Sequence, residues 1–167
     1  MRTALDADPS ELDEEEQRFV SELRKHGWFD TAVLEHEEGP RFSYTTGFWL
    51  RFKFPEVITF SLKHEIAHRA FWDMYRTLES GELFTIGEPV ENIFENTKAA
   101  LLPVSERQFK DHLGWSLWFY RGSAFPCVQL VWTDPKGFFP WQAGYSAEFI
   151  EAQPDLTDGS WSGLRQH

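Results

Sequence analysis

Two stretches of helical apolar spacing enclose a stretch that abandons it, and this change of period limits the possible folds more than any other feature of the chain. In the first stretch Leu12, Phe19, Val20 and Leu23 share one helix face. Asp8 supplies a capping side chain, Pro9 a first-turn proline and Gly27 a left-handed terminator, so a helix is predicted over 9–26. In the second, Ile66, Ala70, Met74 and Leu78 form one i, i+4 row beside Ala67 and Phe71, which predicts a helix over 63–79 closed by Gly81. Between them Thr31, Val33, Phe42, Tyr44, Val57, Ile58, Thr59 and Phe60 suit a pleated surface, and Gly39-Pro40 suits a turn. Three short strands are expected over 29–62.

Strands are further expected at 83–86, 99–104 and 127–132. Ser105 and Gln108 have the spacing of a capping box, predicting a short helix to Leu113. Asp134-Pro135-Lys136-Gly137 matches a type I turn, after which a strand over 138–141 is expected to pair back. Strands clustered between helices, without regular alternation or a glycine-rich phosphate loop, predict an α+β fold. The expected architecture is a single domain, a mainly antiparallel sheet with two or three helices packed on one face. It is expected to occupy 9–156, with a flexible N-terminal end over 1–8 and a C-terminal tail over 157–167.

A chain of 167 residues buries enough surface to fold without a disulfide or structural metal. Its one cysteine, Cys127, permits no internal disulfide, and there is neither an 18-residue apolar run nor a basic-then-apolar leader. A cytoplasmic protein that spans no membrane is expected. The formal charge of −11 is concentrated at the ends: residues 1–40 hold 12 acids and 4 bases, whereas residues 41–150 hold 12 and 11. Such a field repels nucleic acid and anionic lipid and attracts a basic protein partner. It also keeps an aromatic-rich domain soluble.

The sharpest motif is His64-Glu65-Ile66-Ala67-His68 on the second predicted helix. The i, i+4 spacing puts both imidazoles on one face, where they would bind Zn²⁺ while Glu65 acts as base on a metal-bound water. The motif lacks the His-x-x-Gly-x-x-His extension, and Glu88, Glu91 and Glu95, the downstream third-ligand candidates, fall in a predicted loop. With six histidines in an acid-rich chain, a surface pair is the competing reading. Tyr44-Thr45-Thr46-Gly47 places hydroxyls and a glycine at a strand end, fit for a small polar ligand or for an ordinary bend. Cys127 lies in a strand pattern and reads as packing, and His26 reads as a base at the negative end of the first helix. Of the eight tryptophans, two or three among Trp49, Trp118, Trp132, Trp141 and Trp161 are expected at the surface, where aromatics serve recognition.

His26-Gly27-Trp28, Phe42 to Phe48, Pro55-Glu56-Val57-Ile58, Gln129 to Asp134 with Gly137, Phe139-Pro140-Trp141, Gly144-Tyr145 and Gln153-Pro154 form a series of short blocks. In order and spacing they together resemble a bacterial family, DUF4262. The family's function is unknown, so the resemblance implies a bacterial single-domain chain and no activity. It also implies that the helix after the Pro-Glu strand is variable, making His64 and His68 particular to this chain. A site common to the family would fall at the Tyr-Thr-x-Gly and Gln-Leu-Val-Trp blocks, hence at Tyr44, Thr45, Gln129, Trp132 and Trp141.

The leading expectation is a non-catalytic acidic protein-binding module without cofactor, of which an immunity-type protein neutralising a basic toxin is one version. The alternatives are a zinc-dependent hydrolase using His64, His68 and Glu65, and a small-ligand pocket between the Tyr44 strand end and the Trp132–Trp141 hairpin.

Overall fold

The computed structural model describes residues 1–159, Trp161 and Leu164. The chain is an α+β domain built on a six-stranded sheet. In chain order its elements are α1 (Glu14–His26), β1 (Phe29–Val33), β2 (Phe42–Thr46), α2 (Phe48–Phe52), β3 (Glu56–Phe60), α3 (His64–Glu79), β4 (Pro89–Val90), β5 (Ala99–Pro103), α4 (Phe109–His112), α5 (Gly114–Phe119) and β6 (Cys127–Trp132). The strand order is β1-β2-β3-β6-β5-β4, antiparallel throughout except for the parallel pair β3 and β6. No helix among the described residues is long and apolar enough to cross a membrane.

Strands β2 and β3 are buried at every position. Alternate side chains point to opposite faces, so this requires a layer on each side. The helices expected on one face are accordingly divided between two. Val57, Leu101, Val128 and Leu130 pack against Ala70, Phe71, Met74 and Leu78 of α3. Phe42, Tyr44, Ile58 and Phe60 meet Phe19, Val20 and Leu23 of α1, together with Phe109, Leu113 and Phe119 of α4 and α5. A smaller cluster of Ala100, Leu102 and Val131 is covered by Phe139, Trp141 and Trp161.

Local differences from the expected elements have local causes. The Asp8 carboxylate does cap, but it caps a 3-10 turn over Pro9–Glu11, and α1 starts after Asp13, which forms a reciprocal capping box with Glu16. The end over 1–8 contains a second 3-10 turn, Ala4–Asp6, capped by Thr3, with Ala4 fully buried. Residues 83–86 form no strand; Leu83 is exposed, and the edge strand β4 comes later. Residues 138–141 do not pair back either, because Asp134 closes the turn on itself. Its Oδ1 accepts from the amides of Lys136 and Phe138 and its Oδ2 from that of Ser146. In the expected tail, Thr157 and Trp161 are buried, while residues 160, 162, 163 and 165–167 lie outside the described residues.

The most heavily bonded side chain is the fully buried Glu56, first residue of β3. Oε1 accepts from Thr45 Oγ1 and the amide of Phe48; Oε2 accepts from the amides of Gly47 and Trp49 and from the Tyr120 hydroxyl. Tyr120 in turn accepts from the amide of Leu50. The N-terminal amides of α2, which have no partner within the helix, are thereby satisfied by one carboxylate and one phenol. Burial pushes the Glu56 pKa up, against the pull of Tyr120, Thr45 and the amides of Gly47 and Trp49. All five partners donate, which is the arrangement an ionised carboxylate requires.

Glu56→Gln sets an amide NH₂ against donors and should lower stability by about 3 kcal/mol or more in urea unfolding. Tyr120→Phe should cost about 1–3 kcal/mol. An unchanged midpoint in both would show that the network is not what holds α2. For Asp134, burial disfavours the charge, but donation from Phe138, Ser146 and Lys136 outweighs it and the pKa lies below the ordinary value. Its contribution is therefore present above the carboxylate range and lost as pH falls through about 4 and below. Asp134→Asn should flatten the acid side of the melting-temperature profile, and an equally steep fall would place the effect elsewhere.

Candidate functional site

Two glycines bring the site's elements together. Gly27 ends α1 at φ 86°, and a Cβ there would lie 2.3 Å from the Tyr75 hydroxyl on α3. Gly47 follows β2 at φ 124°, and its Cβ would meet the Gly27 carbonyl at 2.8 Å and Trp28 Cα at 2.9 Å. Both positions combine a left-handed backbone with a contact too close for a side chain. Trp28 is fixed there with 4% exposure, its ring packed on Phe48, Phe71 and Trp72 and stacked on His68 at 5.5 Å.

Around this corner lies a cleft of about 330 Å³. Glu22 and His26 of α1 form one wall, Trp28, Phe29 and Asp30 the strand side, and His64, His68 and Trp72 of α3 the other wall. His26 Nε2 stands 3.2 Å from Glu22 Oε2. The Asp30 side chain is only 6% exposed. Its Oδ2 lies 2.7 Å from His68 Nδ1, and its Oδ1 is buried without a hydrogen-bond partner. Burial pushes the Asp30 pKa up, while the bond and charge of His68 and the charge of His64 pull the other way. One ligand atom each from Asp30, His64 and His68 fall within 4.8 Å of one another, close enough to share a metal ion. Two imidazoles and a carboxylate are a donor set suited to Zn²⁺ and its neighbours in the first transition row.

The structure thus unites His64 and His68 with a residue outside the sequence motif. Glu65 is exposed in the first turn of α3 and does not line the cleft. An acid there complements the positive end of a helix that has no side-chain cap.

The residues expected from the family blocks lie elsewhere. Tyr44 is buried, its hydroxyl accepting from the amide of Trp115. Thr45 is buried, donating to Glu56 and accepting from the amide of Val57. Gln129 is buried and ties 154–156 to the sheet, donating to the Pro154 carbonyl and accepting from the Leu156 amide. Trp141 stacks on Phe139 at 4.7 Å within the third cluster. Trp132 is half-buried, its indole donating to the Phe60 carbonyl, and lines a shallow groove with Thr97, Thr133 and Lys136. Tyr44 and Trp132 do not share the pocket that was expected between them.

Asp30, Trp28, Trp72 and Glu22 were not singled out from sequence. Trp28 belongs to the His26-Gly27-Trp28 block, and Asp30 is an acid inside a strand-like run, Phe-Asp-Thr-Ala-Val. Gly47→Ala should cost about 2 kcal/mol or more, since strain and contact add, and should shift the emission of Trp28 as the corner opens. A variant as stable as the parent would mean that the corner yields.

No curated protein and no solved structure matches the chain. The family described as Domain of unknown function (DUF4262) matches residues 22–146, a span that runs from Glu22 in the cleft wall through both glycines to Ser146, which donates to Asp134. By that match the chain belongs to the DUF4262 family.

Proposed function

We propose that the protein is a non-catalytic binding module of the bacterial cytoplasm whose acidic N-terminal segment, with the aromatic cleft beside it, docks a basic protein partner. The observation that supports this reading is the acid excess of residues 1–40, which supply Glu22 and Asp30 to the cleft lining. Within them α1 exposes Glu14 and Glu15 in its first turn and contributes Glu22 to the cleft wall, while Arg24, Lys25 and His26 fill its last turn. A cationic side chain entering there would meet carboxylates and the indoles of Trp28 and Trp72, a combination that favours ammonium and guanidinium groups. Arg76 already lies over Trp72 at 4.9 Å. The same field disfavours nucleic acid and anionic lipid. An immunity-type protein facing a basic toxin is one concrete form of the reading.

Other readings receive less support. A zinc hydrolase of the His-Glu-x-x-His kind needs its glutamate at the metal, and Glu65 is outside the cleft. The hydroxyls and amide of Tyr44, Thr45 and Gln129 are engaged within the fold, which leaves the cleft as the better place for any ligand.

Titration with oligolysine and oligoarginine peptides, followed by tryptophan emission, should give saturable binding that weakens about tenfold or more between roughly 0.05 and 0.5 M salt. Joint reversal of Glu14, Glu15 and Glu22 to lysine should abolish it. Binding indifferent to salt and to the reversal would refute the charge-steered form.

A further inference from the structure

We infer that Asp30, His64 and His68 form a binding site for a divalent transition-metal ion of the zinc class, seated at the inner end of the cleft between β1 and α3. The inference concerns the same cleft as the docking proposal but does not need the partner, since it is a property of the isolated chain.

Two observations carry it. The first is convergence: donors from two separate elements lie within 4.8 Å of one another, although residues 30 and 64 are far apart in sequence. The second is the state of Asp30. A carboxylate that is 6% exposed, with one oxygen buried and unpartnered, is a costly arrangement unless something positive completes it. Glu56 shows what this chain does with a buried carboxylate that has no ligand to meet: it surrounds it with five donors. Asp30 has one, His68 Nδ1.

The donor chemistry selects the ion. Two neutral imidazoles with one carboxylate favour Zn²⁺, Co²⁺ and Ni²⁺ over Mg²⁺ and Ca²⁺, which seek oxygen shells. On a tetrahedral ion with bonds of about 2.0–2.1 Å, ligand atoms sit roughly 3.3 Å apart. The Asp30–His68 pair, at 2.7 Å, therefore opens slightly on binding, and His64 closes inward. His64 and His68 are both exposed, so the ion can enter from solvent and keep at least one coordination position toward the cleft. A partner's side chain or a small anion can occupy that position.

Isothermal titration of the purified, chelator-stripped protein with ZnCl₂ and CoCl₂ tests the site. One ion per chain is expected, with micromolar or tighter affinity, undisturbed by millimolar Mg²⁺, and Co²⁺ should give the visible absorption of a four- or five-coordinate ion. A histidine pair one turn apart on any helix chelates weakly, so Asp30 is the discriminating residue. Asp30→Ala should weaken Zn²⁺ binding about a hundredfold, as should His64→Ala and His68→Ala, whose exposed side chains make misfolding an inadequate explanation. Glu65→Gln should leave the affinity unchanged. Binding by Asp30→Ala equal to the parent would overturn the three-residue site, as would dependence on Glu65 or absence of binding in the parent. Salt-sensitive peptide binding by the metal-free protein would still stand in any of those cases, so the two proposals fail separately.

Discussion

The Glu56 carboxylate is the fixed point from which the rest of the architecture is positioned. It converts the start of a five-residue helix, too short to be stable alone, into a rigid corner by accepting from the amides of Gly47, Phe48 and Trp49. Through Thr45 it also grips β2, whose residue 45 stands opposite Asp30 in the sheet register. Through Gly47 it presses the β2–α2 corner onto Gly27 and Trp28. The position of the cleft is thus inherited from a carboxylate that takes no part in it.

Two buried acids in this chain follow opposite logics. Glu56 is saturated with donors, and Asp30 is left one oxygen short. A fold tolerates the second kind where a neighbouring group or a bound species compensates it, which is why incompletely paired buried charges gather at working sites. Aromatic rings fill both flanking layers, Trp28, Phe48, Phe71 and Tyr75 on the α3 side and Phe19, Phe42 and Phe119 on the other. The tryptophan surplus that suggested a recognition surface is largely absorbed this way: Trp28, Trp141 and Trp161 are buried, and Trp49, Trp118 and Trp132 are half-buried.

Much of the frame was legible from residue patterns. The apolar row Ile66, Ala70, Met74 and Leu78, with Ala67 and Phe71 beside it, located α3, although Ile66 itself is exposed, and β-branched and aromatic runs located β1, β2, β3 and β6 because such residues suit a pleated, packed surface. Residues 83–86 misled because Leu83 and Ile86 are apolar but exposed, and 138–141 misled because Asp134 closes its turn by side-chain bonds that no periodicity reveals. The layer on the second face was hidden because the continuous burial of β2 includes the polar Ser43, Thr45 and Thr46, and the hydroxyls of Thr45 and Thr46 are satisfied by Glu56 and Ser116. Half of the candidate site was visible as His64 and His68. Asp30 was not, since its partnership with them arises only when β1 is laid beside α3, a long-range contact without a local signature.

One helix, α3, serves two masters on two sides. Its inward row is locked by neighbours in the second layer, whereas His64 and His68 stand on the solvent flank. Replacing His64 leaves that inward row untouched, whereas replacing His68 also removes the ring stacked on Trp28 and the one hydrogen-bond partner of the buried Asp30. The same helix therefore carries a recognition element and a packing element, and His68 belongs to both.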